Sequence, residues 1–128
     1  MNADATAFGY SIGQVPGMPQ DYAADRALSG LALAAAHDES VRSGVIGSSE
    51  VFVTARRALQ FREQFPDVVA VDMESAAIAQ FAHTHAQPFL SVRAISDLCA
   101  PDGTEFLTHV DGAADRSAAV VASVLAAL

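Results

Sequence analysis

No lysine occurs in this chain. Its seven basic residues are all arginines, and fifteen acids bring the formal charge to −8. A surface so acidic repels phosphate, which argues against nucleic acid and anionic membranes as partners. Cysteine is nearly absent too. Cys99 stands alone, so no disulfide can close within the chain, as fits a reducing cytoplasm. The N-terminus lacks the basic-then-apolar order of a signal peptide, and the longest apolar run, SAAVVASVLAAL, is too short to span a bilayer. Metal-site patterns are missing: there is no HExxH, no CxxC, and His83 and His85 lie two apart, off a common helix face. So are the GxSxG elbow and a phosphate-cradling glycine loop. These absences leave a soluble cytoplasmic domain without a metal or cofactor, whose partner is a small polar or neutral ligand or another protein.

What the chain does have is an apolar half rich in alanine and valine, long enough over residues 1–128 for one domain with a core. Residues 5–10 read as a short strand or extended arm, and 13–20 as a Gly/Pro loop. Asp21 is expected to cap a helix reaching about His37, with Leu28, Leu31 and Ala35 near one face. A strand over 41–47 follows, then a turn over 47–54. Next comes a charged helix, ARRALQFREQF, ended by Pro66. VVAV, 68–71, predicts a second strand and MESAAIAQFAHTHA a second helix. Pro88 opens a third strand, 89–95, and Thr104 is placed to cap the last helix. Apolar strands alternating with helices imply an α/β fold with a largely parallel sheet covered on both faces. Ligands gather at the C-terminal strand ends of such sheets. Three of those ends carry polar groups: Ser48-Ser49-Glu50, Asp72-Met73-Glu74 and Ser96-Asp97.

Each polar group admits two readings. Glu74 is favourable in a first helical turn, where the dipole welcomes an acid. With Asp72 already able to cap, Glu74 is also free to accept both hydroxyls of a ribose diol. Asp97 suits an Asx turn, and it also suits a general acid, since a partly desolvated carboxyl holds its proton nearer neutrality. Two carboxylates flanking one site follow the logic of glycosidic cleavage. Phe52 is either core or a stacking face, and Met73 either helix packing or pocket lining. Arg93, inside an apolar strand, calls for a buried acid as partner.

VDMESAAIA, PFLSVRAISD, DATAFGYSIGQVPG and GSSEVFV together resemble the purine nucleoside phosphorylase and nucleosidase superfamily. Within it they resemble the 5′-methylthioadenosine/S-adenosylhomocysteine nucleosidases. The resemblance implies a three-layer sandwich around a mostly parallel sheet, with the N-terminal half of that fold absent. It implies hydrolysis of adenine thionucleosides. Asp97 matches the acid that protonates adenine N7, and Ser96 the residue that helps orient it. Glu74 matches the ribose-binding carboxylate and Met73 the side chain beneath the ribose. Phe52 matches the aromatic on adenine and the Val53 backbone the group reading the base edge. Phe8 and Pro16 match residues that wall the 5′ pocket of a neighbouring subunit, which implies a homodimer.

The family's water-activating glutamate has no counterpart here, because it belongs to the half that is not matched. Three functions therefore stay open: a nucleosidase, a nucleoside phosphorylase, and a non-catalytic subunit that dimerises. The RAISD and GQVPG segments favour the first over the second, and the missing water-activating acid favours the third for the isolated chain.

Overall fold

The computed structural model describes residues 5–36, 41–99 and 105–128, with side chains of the last stretch described from residue 112. The expected cap at Thr104 and helix end at His37 lie outside the described residues. The sheet is a parallel pair, β1 (Val45–Ser48) and β2 (Val68–Asp72). Register runs Val45↔Val68, Ile46↔Ala70, Gly47↔Val71 and Ser48↔Asp72, with an irregularity after Val45. Just ahead of β1 the strands approach closely, since a Cβ on Gly44 would lie 2.5 Å from a methyl of Val69. Only glycine leaves room there.

Helix α2 (Ala55–Gln64) forms the crossover between the strands, as a parallel connection requires. It stops ahead of Pro66, as expected from proline's missing N–H. Helix α3 (Ser75–Thr84) follows β2 after two residues and packs on β1. It buries Ser75, Ala79 and Ala82, spaced four and three apart on one face. Helix α1 (Arg26–Ala35) packs against the last helix, α4 (Glu105–Ala126). Between these helices and residues 88–93 runs an apolar groove of about 460 Å³, lined in part by Leu28, Ile78, Phe89, Val121 and Leu125.

Three expectations need correction. Residues 5–10 form no strand; Thr6–Phe8 is a 3₁₀ turn closed by Gly9, whose N–H donates to the Thr6 carbonyl and whose φ of 85° turns the chain out of the helix. Helix α1 starts after Asp25, not Asp21. The Asp25 carboxylate accepts the Leu28 N–H at 2.9 Å, and its own N–H donates to the Phe89 carbonyl at 2.7 Å. The local cap and the tertiary bond meet at Asp25, and only the second depends on a residue far along the chain. Residues 89–95 are not a strand among the described residues, because a strand exists through its ladder. They are tied to β2 and α3 by side chains instead, Ser91 to Ser75 and Arg93 to Asp72.

Candidate active site

The parallel pairing places both strand exits on one edge. At the end of β2, Asp72 is a hub. Its Oδ1 accepts from Ser48 Oγ at 2.6 Å and from the Ser75 N–H at 3.1 Å, and its Oδ2 accepts from Ser75 Oγ. Arg93 Nε lies 2.9 Å from Oδ2. Ser48 Oγ in turn accepts the Ala76 N–H at 2.8 Å, so β1 also caps α3. Asp72 is thus the expected helix cap and the buried acid that Arg93 required.

Burial pushes the Asp72 carboxyl up, but hydrogen bonds from Ser48 and Ser75, with the Arg93 charge, pull it further down, below the ordinary aspartate value. The folded state therefore binds this proton less readily than the unfolded chain does. Stability from the hub is complete above the unfolded value of ~4 and is lost as pH falls through the depressed folded value. Urea midpoints measured from pH 6 downward are expected to fall with acid, and Asp72→Asn is expected to flatten that slope. An unchanged slope in the variant would remove Asp72 as its source.

Glu74 follows two residues on, at the N-cap of α3, and is more than half exposed. Arg93 Nη2 reaches its Oε2 at 3.3 Å and Ser75 Oγ at 3.5 Å. Met73 beside it is 48% exposed, too open for the helix-packing reading.

A second cluster joins the β1 exit to the 96–99 loop. Asp97 Oδ1 accepts the Cys99 N–H at 2.7 Å, which is the Asx-turn geometry. Among the described residues its Oδ2 has no hydrogen-bond partner. Cys99, held at φ 58°, sends its thiol to the Val53 carbonyl at 3.5 Å. Burial, and then the Asp97 charge, push that thiol up, so it stays a donor. Phe52, next to Val53, is 54% exposed and so not core. Ser96 is half-buried.

Phe8 and Pro16 lie on the N-terminal arm, and Phe8 is 83% exposed. The arm is braced on itself, by Gln14 to Ser11 and to Met18. The described residues contain no group of three or more His, Cys, Asp or Glu side chains fit for a metal, and none of their helices is long and apolar enough to cross a membrane.

Sequence reasoning missed Ser75, Ser91 and Cys99. Ser91 had a signal: it stands two before Arg93, on the same face of an extended segment. Cys99 had none, since its role depends on a left-handed backbone.

The phosphorylase superfamily model matches residues 1–126. The chain belongs to the phosphorylase superfamily. Among members, it is 42% identical over 130 residues to the 5′-methylthioadenosine/S-adenosylhomocysteine nucleosidase of Maridesulfovibrio salexigens, covering 97% of this chain and 56% of that one. The structure resembles the S-adenosylhomocysteine nucleosidase of Streptococcus pyogenes bound to 5-methylthiotubericidin, at TM-score 0.89 and 37% identity, over 99% of this chain and 56% of that one. It resembles equally the Neisseria meningitidis nucleosidase bound to methylthio-immucillin-A, at TM-score 0.89 and 38% identity, over 99% and 57%. This phosphorylase-superfamily chain spans a little over half the length of the relatives it matches. The expected α/β fold of this superfamily is borne out.

Proposed function

We propose that the chain carries the base- and ribose-binding side of a nucleosidase that cleaves the N-glycosidic bond of 5′-methylthioadenosine and S-adenosylhomocysteine. One observation carries the reading: a single sheet edge presents Glu74 beside β2 and, through the Cys99 tether to Val53, Asp97 beside the β1 exit. Cleavage develops positive charge on the ribose and negative charge on the departing base, and these two carboxyl groups address the two ends.

In this reading water adds to C1′ as the C1′–N9 bond breaks and gives up a proton to solvent, giving neutral adenine and the thioribose. Asp97, its Oδ1 engaged by Cys99, delivers a proton from Oδ2 to adenine N7, and Ser96 helps orient it. Glu74 accepts the ribose hydroxyls above Met73. Phe52 stacks on the base and the Val53 backbone reads its edge. Exposed Phe8, with Pro16, walls the 5′ pocket of a second copy, making the protein a cytoplasmic homodimer. The nucleosidase names of the relatives support the substrate class.

The test is adenine release from 5′-methylthioadenosine by the purified chain, with and without phosphate. Release is expected in both. Release only with phosphate would make the protein a phosphorylase, and no release with either would make this chain an incomplete enzyme.

A further inference from the structure

We propose that Asp72 and Arg93 are positioning residues for sugar recognition: Asp72 pins the Arg93 guanidinium, and Arg93 sets the Glu74 carboxylate for a vicinal diol. The inference rests on the reading of Glu74 as the ribose-binding group and adds the machinery that aims it.

The two acids differ sharply in their surroundings. The Asp72 side chain is 11% exposed and takes four donors, from Ser48, Ser75 twice and Arg93. A carboxylate offers about four acceptor sites. Asp72 has none left for a ligand, so whatever it does for the site it does through its partners. The Glu74 side chain is 59% exposed, and Arg93 is its sole side-chain partner among the described residues.

A glutamate with three rotatable bonds and an open surroundings samples many orientations, and binding a diol would require freezing them. Arg93 does that beforehand. Its guanidinium is planar and rigid, so holding Nε at Asp72 Oδ2, 2.9 Å away, fixes the direction of Nη2. Nη2 meets Glu74 Oε2 at 3.3 Å, leaving Oε1 and the outer lone pair of Oε2 open. Ser75 Oγ, within 3.5 Å of the same nitrogen and hydrogen-bonded to Ser91 at 2.7 Å, closes the cage around the guanidinium.

Charge points the same way. One cation shared between two carboxylates leaves one net negative charge. Asp72 is saturated and inward, so the surplus sits on Glu74 and faces outward. A hydroxyl pair donating to that oxygen makes charge-assisted hydrogen bonds, the strong kind. A lysine at position 93 would be a point charge with no fixed plane and could not hold both acids in register.

The experiment uses 7-deaza nucleosides, which lack the N7 that must be protonated and so persist in the site. Affinities of tubercidin, 2′,3′-dideoxytubercidin and adenine are measured calorimetrically for the wild type, Asp72→Asn and Arg93→Lys, with melting curves alongside. The wild type is expected to prefer tubercidin to its dideoxy form by about 10-fold or more, as hydrogen bonds to a charged acceptor give. Both variants are expected to lose most of that preference while binding adenine as the wild type does. Wild-type preference retained in both variants overturns the positioning role and leaves the Glu74 reading standing. Equal losses for all three ligands, following a lowered melting point, overturn it in favour of a purely structural hub. A wild type that binds none of the ligands, or that fails to distinguish the two nucleosides, overturns the ribose reading of Glu74 itself.

Discussion

Asp97→Asn is expected to lower adenine release by about 10²–10⁴-fold, the usual loss when a proton donor is removed. The substitution is nearly isosteric. Asparagine Oδ1 still accepts the Cys99 N–H, now at 2.7 Å from Asp97, so the turn and the Cys99–Val53 tether survive. What disappears is the transferable proton on Oδ2. The amide can donate a hydrogen bond to the base nitrogen but cannot surrender its hydrogen to a leaving group. Single-turnover adenine release is the measurement, with the melting point as control. Turnover equal to the wild type's, with the fold intact, would remove Asp97 from the acid's role. A loss of turnover matched by a lowered melting point would assign the residue to the turn alone.

Glu74→Gln is expected to weaken nucleoside binding by roughly 10–100-fold while adenine binding stays unchanged, since hydrogen bonds to charged groups contribute about 1.5–3 kcal/mol each. Glutamine keeps one carbonyl oxygen, which Arg93 Nη2 engages as it now engages Oε2. The other terminal atom becomes a donor and confronts a hydroxyl that needs an acceptor. The exposed side chain bears little on the fold, so stability should change by under ~0.5 kcal/mol. Titrating adenine and 5′-methylthioadenosine analogues side by side checks this. Equal losses for both ligands would mean that Glu74 does not read the sugar.

Much of the site's frame was legible in the residues. An arginine within an apolar segment demands an acid, and Arg93 found Asp72. An aspartate between an apolar strand and a helix can cap, and Asp72 takes the Ser75 N–H. The β1–α2–β2–α3 succession was legible because its apolar strands are short, its helices are charged or alanine-rich, and Pro66 punctuates them. What stayed hidden depended on tertiary partners or on backbone sign. Asp25 and Asp21 are both residues of the capping kind, and the bond from the Asp25 N–H to the distant Phe89 carbonyl is the part of that choice no local pattern shows. The turn at Thr6–Phe8 ends where Gly9 goes left-handed. Residues 89–95 have a strand's composition, but composition supplies no neighbour to bond with. The Cys99 bridge between Asp97 and Val53 joins residues far apart in the chain through a conformation that non-glycine residues rarely take.

The two-strand sheet also sets a rhythm in time. In a parallel pair, successive amides of a strand point alternately toward and away from the partner. With β1 and β2 bonded only to each other among the described residues, each strand turns every second N–H outward. Solvent deuterium would enter those outward amides quickly and the inward ones slowly, so the edge that carries Ser48 and Asp72 is half sealed and half open along its length.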